Sequence, residues 1–199
     1  TAVEQLVGLI LDKSGRGNHA SQTTTPKRPI YSRRVNYFTE SEFRNGVSDA
    51  PTRAGLVSAS ALSGYLGAIA FGYPADSYAY KPFSITVGIA YVISVVLEMD
   101  DGLPPSFLSP SIYDSVNDFA LVLAGAGAGD PRSYAVQALG GARYRVSSVF
   151  SPASNASIYC GIVKYTSNSS RTFKVTAYDL RLATDAHLPY QRVNTATDY

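Results

Sequence analysis

The second half of the chain alternates short β-prone segments with clusters of turn-forming residues. The segments are rich in Val, Ile, Tyr and Phe, which fit a pleated, half-buried surface, and they span 118–124, 133–139, 142–150, 157–165 and 171–183. No stretch carries the i, i+3, i+4, i+7 apolar spacing of an amphipathic helix. A capping-box pattern at 39–43 marks the one place for a short helix. This rhythm predicts an all-β fold, an antiparallel β-sandwich of jelly-roll type.

Two segments predict more local detail. Residues 83–98 are apolar and β-branched enough to form one long strand, with Gly88 as a bend or bulge. The turn chemistry around Gly102 ends that strand. In the closing segment the apolar alternation slips near Tyr178. A slip of this kind predicts a β-bulge or a crossing between sheets.

Residues 1–34 differ in texture from the rest of the chain. A short apolar run at 6–11 is followed by a Gly-rich loop at 12–18 and by a Thr- and Pro-rich stretch that resists helix formation. The whole chain of 199 residues is long enough to bury a sizeable core. We predict an extended N-terminal arm or lead-in segment over 1–34 and one sandwich domain over 35–199.

Charge and cysteine content exclude several classes of protein. The net charge is only +2, and the densest basic stretch, 27–34, is interrupted by Pro29 and apolar residues, so no nucleic-acid partner is expected. The single cysteine, Cys160, excludes an intramolecular disulfide. Strand alternation places it beside Ile158 and Ile162, which predicts a buried, inert thiol.

No membrane-spanning or secretory segment is read from the sequence. The longest apolar run, 85–99, is shorter than the roughly 18 residues that a membrane helix needs. The start of the chain shows no signal-peptide pattern. A soluble protein is therefore expected.

The residues that usually perform catalysis are scattered. The only two histidines, His19 and His187, fit no zinc-ligand spacing. There is no G-x-S-x-G nucleophile elbow, although a Ser-His-Asp triad is defined by geometry and stays open. A glycosidase needs two carboxylates close together across a cleft, and the acids here are dispersed. We therefore expect no enzymatic activity.

Calcium is the one metal whose ligands the sequence offers. Asp12 and Asn18 lie in the Gly-rich loop, and Asp100 and Asp101 lie in the turn before Gly102. Carboxylate, amide and backbone oxygens in a flexible loop are calcium ligands. The alternative is that these side chains form Asx turns with their own backbone. Apart from a structural calcium ion at one of these places, no cofactor is expected.

Tyrosines beside acidic residues suggest a sugar-binding surface. The tyrosines are Tyr73, Tyr78, Tyr80 and Tyr113, in stretches that read as loops, and the acids near them are Asp76 and Asp114. A sugar has apolar C–H faces and a polar rim, which flat aromatic rings and hydrogen-bonding side chains complement. Exposed loop aromatics of this sort often mark binding surfaces. The alternative is that the tyrosines cover strand edges or form a subunit contact.

Short motifs along most of the chain resemble one family. The pattern D-x-S-G-x-G-N-H at 12–19 resembles the front segment of many phage and prophage virion proteins, and it also occurs in laminin-G-like and concanavalin-like lectin domains. The stretches 36–39, 91–97, 142–150 and 189–193 resemble the jelly-roll modules that follow in such fibre proteins. Those modules are similar to the carbohydrate-binding jelly rolls of polysaccharide-degrading enzymes. The closing strand departs from the family pattern in the position of its acidic residue, so no ion site is carried over.

The resemblance implies a virion protein of the fibre, spike or decoration kind, made in the bacterial cytoplasm. Such a protein assembles with itself, most often as a trimer, and with other virion proteins. It presents its jelly roll outward, where contact with a host-surface glycan is the natural use. Two alternatives stay open: an accessory carbohydrate-binding module of a polysaccharide-active enzyme, and a capsid-cementing protein without a ligand.

Overall fold

The computed structural model describes the backbone of residues 5–6, 9–10, 20–21 and 30–31, and it describes 36–38, 52–65, 67–108, 113–123, 134–152 and 157–186. The chain divides into two compact units, one of residues 1–34 with 197–199 and one of residues 35–196. In the first unit, β1 (Gln5–Leu6) pairs antiparallel with β4 (Ile30–Tyr31), and β2 (Leu9–Ile10) pairs antiparallel with β3 (Ala20–Ser21). The extended N-terminal arm or lead-in segment expected over residues 1–34 stays a prediction.

The second unit contains two antiparallel sheets. The four-stranded sheet has the order β10 (Ala120–Leu123), β13 (Ser157–Lys164), β8 (Ser77–Ser84), β5 (Thr52–Ala54). The six-stranded sheet has the order β11 (Tyr134–Gly140), β12 (Arg143–Phe150), β9 (Tyr91–Met99), β14 (Phe173–Leu182), β7 (Ala68–Phe71), β6 (Val57–Ser60). A short 3₁₀ helix, Ala183–Asp185, follows β14. The part of the chain that is described contains no helix long and apolar enough to cross a membrane.

The core forms where the inner faces of the two sheets meet. Side chains such as Ile93 and Val146 of the six-stranded sheet belong to the same buried cluster as Ile158 and Ile162 of the four-stranded sheet. Cys160 lies fully buried in this cluster, as the alternation predicted. The predicted all-β sandwich is therefore confirmed, whereas the jelly-roll order of its strands stays a prediction.

The single strand predicted over 83–98 is wrong. The structure has two strands there, one in each sheet: β8 ends at Ser84 and β9 begins at Tyr91. Gly88 has φ 76° in the turn that joins them, a left-handed conformation that glycine adopts without steric strain. The apolar run is continuous because the turn between the two strands carries Val87 and Ile89, whose side chains are exposed rather than buried. The helix considered at 39–43 lies outside the described residues.

The predicted slip near Tyr178 is confirmed as a bulge in β14. The register of β14 against β9 shifts between Thr176 and Asp179, and Ala177 has φ 51°. On the other side of β14, β7 pairs only with residues 173–175. Beyond the bulge, residues 36–38 take over that edge, since the Tyr37 N–H donates to the Leu180 carbonyl oxygen at 2.9 Å. The bulge therefore divides the neighbours of β14 between two segments of the chain.

Candidate functional site

The turn that follows β13, residues 165–169, brings together three of the predicted sugar-binding residues. Asp76 Oδ1 accepts a hydrogen bond from the Thr166 N–H at 2.6 Å. The ring of Tyr113 lies 4.5 Å from the ring of Tyr165, measured between centroids. The Asp114 carbonyl oxygen accepts from Asn168 Nδ2 at 3.1 Å. Residues far apart in sequence thus meet at one end of the sandwich.

Tyr78 and Tyr80 do not lie in a loop, as the sequence suggested, but in strand β8. Ala79 between them is fully buried in the core, so alternation turns both tyrosines to the outer face of the four-stranded sheet. Their rings stack at 5.2 Å, and the Tyr80 ring meets Tyr159 of β13 edge-on at 5.0 Å. These three side chains are half-buried.

Tyr78, Tyr80 and Tyr159 lie on the outer face of β8 and β13, and Tyr165, in contact with Tyr113, comes directly after the end of β13. Tyr159 lies on the outer face of β13, and Tyr165 follows the strand at the same parity, six residues later. At the usual rise of a strand this separation is about 20 Å. We call the set Tyr78, Tyr80, Tyr113, Tyr159 and Tyr165 the tyrosine band. The sequence analysis did not select Tyr159 and Tyr165. Alternation could have identified them, because Tyr159 lies on the face of β13 opposite to that of the buried Cys160 and Tyr165 continues the same alternation.

Tyr73 lies beside Lys164, the last residue of β13. Tyr73 is 41% exposed, and its ring centroid lies 6.0 Å from Lys164 Nζ. Lys164 has the inward parity of β13, whereas the band lies on the outer face. Tyr73 therefore lies near the end of the core.

The phenol of Tyr165 is held in its protonated form. Burial, followed by a side-chain hydrogen bond with Tyr113 and the negative charge of Asp76, raises the pKa of Tyr165. A protonated phenol can both donate and accept a hydrogen bond. At this end the band therefore offers an aromatic face with a neutral polar group beside a carboxylate.

A buried polar cluster on the core side of the turn at 165–169 forms hydrogen bonds with it. Lys164 and Asp118 are both fully buried. Lys164 Nζ donates to the carbonyl oxygens of Ser169, at 2.5 Å, and Asp118, at 3.3 Å. The Ser169 hydroxyl donates to Asp118 Oδ1. Desolvation lowers the pKa of Lys164 to about 8, with Asp118 opposing that shift and Arg171 adding to it.

Arg171 joins this cluster to the turn after β9. It forms a two-pronged ion pair with Asp101, at 2.6 and 2.8 Å, and contacts Asp118 Oδ2 at 2.7 Å. It also donates to the carbonyl oxygens of Leu103 and Pro104. The loop that carries Tyr165 is therefore tied to residues 101–118 by a guanidinium group.

Two of the four calcium candidates have protein partners in the described structure. The Asp101 carboxylate is bound by Arg171, which lowers the pKa of Asp101 to about 2. Asp101 Oδ1 also accepts from the Leu103 N–H at 3.0 Å, the Asx-turn alternative. Asp100 Oδ2 accepts from the Thr172 hydroxyl. Asp12 and Asn18 lie outside the described residues, and within those residues no three His, Cys, Asp or Glu side chains group as metal ligands.

No protein-family model matches the chain, and no curated protein matches it.

Proposed function

We propose that this chain is a virion structural protein, of the fibre, spike or decoration kind, whose sandwich domain binds a host-surface glycan along the tyrosine band. The observation that carries the binding proposal is the arrangement of five tyrosines along β8, β13 and the adjoining loops. The virion setting is supported by the sequence resemblance. Assembly with itself, as a trimer, and with other virion proteins is part of the same proposal.

The surface chemistry favours a sugar over other small ligands. Half-buried rings can cover the apolar C–H faces of a sugar without moving far, so little side-chain freedom is lost on binding. The Asp76 carboxylate and the protonated phenol of Tyr165 are placed to hydrogen-bond with hydroxyl groups at the edge of a sugar ring. The length of the band, about 20 Å from Tyr159 to Tyr165, favours an oligosaccharide over a single sugar.

A glycan array followed by calorimetry tests the proposal. We expect the full chain to bind a subset of bacterial surface oligosaccharides, and Tyr165→Ala and Tyr80→Ala each to weaken binding by about tenfold, or 1.4 kcal/mol. Tyr37→Ala is the matched control, because Tyr37 is 40% exposed and contacts Phe83 outside the band. Circular dichroism checks that each variant is folded.

The outcomes separate the alternatives. No binding to any glycan at high protein concentration would favour the capsid-cementing alternative. Binding confined to polysaccharides that serve as enzyme substrates would favour an accessory carbohydrate-binding module. Equal losses in Tyr165→Ala and Tyr37→Ala would reject the tyrosine band as the site.

A further inference from the structure

Strand β11 extends the six-stranded sheet beyond the cover of the four-stranded sheet. In its pairing with β12, Val136 lies opposite Val146 and Ala138 lies opposite Tyr144, and both of these β12 residues are buried in the core. The inner face of the sheet therefore continues through Val136 and Ala138. Yet Val136 is 41% exposed, and Ala138 is exposed too. One strand beyond the buried core, the same apolar face meets solvent.

Among the described strands, β11 ends its sheet with little of the usual protection: its pairing with β12 shifts register only at its end, between Ala138 and Gly140. Natural edge strands are usually short, charged, bulged or interrupted by proline, because an open edge can pair with another chain. Of the strands that end the two sheets, β5 has three residues, and β6 and β10 have four each, whereas β11 has seven. The sequence of β11, YAVQALG, contains no charged residue and no proline.

We propose that β11 is the surface through which a second copy of this chain binds. The inference rests on the self-assembly included in the proposed function, and it names a contact between two copies rather than three, because equivalent edges meet in pairs. Addition of a strand to an open sheet edge supplies main-chain hydrogen bonds, and the apolar residues at alternate positions supply burial. In such a contact Val136 and Ala138 of each copy would be covered by the other.

The absence of charge on β11 favours a copy of itself as the partner. A contact between equivalent surfaces brings each residue near its own equivalent. A charged edge would then place like charges together, which is destabilising. The polar side chains of β11 are those of Tyr134 and Gln137, and neither is charged. Two copies of β11 can therefore meet without charge repulsion.

Light scattering on the full chain, after size-exclusion chromatography, tests the proposal. We expect a dimer for the native chain, because two equivalent edges join two copies, and monomers for Val136→Lys and for Val136→Glu. A native trimer would overturn the assignment of the contact to β11. An equimolar mixture of the two variants should restore an oligomer, because Lys and Glu then face each other across the contact. That recovery also shows that the single variants are folded.

Val149→Lys is the matched control. Val149 is a 52% exposed valine on neighbouring β12, on the outer face of the sheet, so this variant should keep the native size. A native chain that stays monomeric at the highest concentration reached would overturn the proposal. So would an oligomer that survives both Val136 substitutions, or one that Val149→Lys disrupts equally. Glycan affinity measured on the monomeric variants is a separate readout, so failure of the contact and failure of the tyrosine band are distinguishable.

Discussion

Arg171 shows how one residue fixes the loops at the end of the sandwich. Five hydrogen bonds from its guanidinium group engage the side chains of Asp101 and Asp118 and two carbonyl oxygens. Asp118 is fully buried, so its charge depends on partners of this kind. A buried carboxylate that loses its cation is left without compensation in a medium of low polarity. The buried Asp118 carboxylate and its partner Arg171 therefore stabilise the loops that lie next to the tyrosine band.

We expect Arg171→Met to lower the free energy of unfolding by about 3 kcal/mol, because the buried Asp118 carboxylate loses its hydrogen-bonded cation. Among the described residues, the carboxylate then keeps hydrogen bonds only from the Ser106 N–H and the Ser169 hydroxyl. Urea unfolding measures the change. Lys174→Met is the control: Lys174 pairs with Glu98 at 3.4 Å, and both side chains are partly exposed, so its loss should amount to about 1 kcal/mol or less. Similar losses of unfolding free energy for the two variants would show that Arg171 contributes no more than a surface ion pair.

Lys164 predicts a rise of stability with pH. Its folded pKa is about 8, below the ordinary 10.5, because desolvation penalises the charged amine. Between about pH 8 and 10.5 the unfolded chain keeps a proton that the folded chain has lost, so the free energy of unfolding contributed by this residue rises with pH. Asp118 and Arg171 are the charged groups that act on the amine, and the ring centroids of Tyr73 and Phe173 lie 6.0 and 5.8 Å from it.

The measurement compares the native chain with Lys164→Met by urea unfolding from about pH 7 to about pH 9.5. Subtracting the variant removes the contribution of the other titrating groups. We expect the difference to move in favour of the native chain as the pH rises. A difference that stays flat, or that moves the other way, would contradict the assignment of Lys164 as the titrating group.

At the scale of elements, the bulge in β14 explains why residues 36–38 belong to the sandwich. Asn36 is buried, its Nδ2 donates to the Tyr178 carbonyl oxygen at 3.0 Å, and its Oδ1 accepts from the Leu180 N–H at 3.1 Å. The side chain thus mimics a paired strand where the bulge has displaced the regular one. Phe38 then packs against Phe83 and Tyr178.

We expect Asn36→Ala to destabilise the domain by about 2 kcal/mol, since it leaves a buried carbonyl oxygen and a buried N–H without this partner. Ser58→Ala on exposed strand β6 should change stability by about 0.5 kcal/mol or less. Urea unfolding of both variants gives the comparison. A loss for Asn36→Ala as small as that for Ser58→Ala would refute the role of Asn36.

The contact between β8 and β13 leaves no room for a side chain at Gly161. A Cβ atom there would stand 2.1 Å from the Ala79 carbonyl oxygen and 2.6 Å from Tyr80 Cα, both of which are backbone atoms. We expect Gly161→Ala to destabilise by about 3 kcal/mol, because the strands must separate. Gly64 has φ 87°, and a Cβ atom added there would have no atom within 4 Å. We expect Gly64→Ala to cost only backbone strain, about 1–2 kcal/mol. Thermal unfolding compares the two variants.

For the molecule as a whole, Cys160 reports opening of the sandwich. It is the only cysteine of the chain and lies fully buried between the sheets, and burial raises the pKa of its thiol. We expect a thiol reagent such as DTNB to react with the native protein at a rate limited by unfolding, and with the urea-unfolded protein at once. Fast labelling under native conditions would mean that the core opens locally near β13.

Side-chain alternation within single segments was sufficient to predict the strands from β10 to β14, the bulge near Tyr178 and the burial of Cys160. Each of these depends on alternation along one segment, which the sequence displays directly. The same reasoning missed β5, β6, β7 and most of β8, and it joined the last two residues of β8 to β9. Strands β5 to β7 are short or rich in Ala and Ser. The turn between β8 and β9 carries exposed Val87 and Ile89, so its sequence resembles that of a strand.

The sequence by itself determined that the chain folds as a β-sandwich, because side-chain alternation and turn chemistry act over a few residues. It also supplied most of the aromatic residues of the candidate site. Only the tertiary structure decided which of them meet: Tyr113 with Tyr165, and Tyr80 with Tyr159. It alone placed Arg171 between Asp101 and Asp118, and it alone left β11 beyond the cover of the second sheet. These relations depend on strand order and register, which join residues distant in the chain and leave no mark in any single segment.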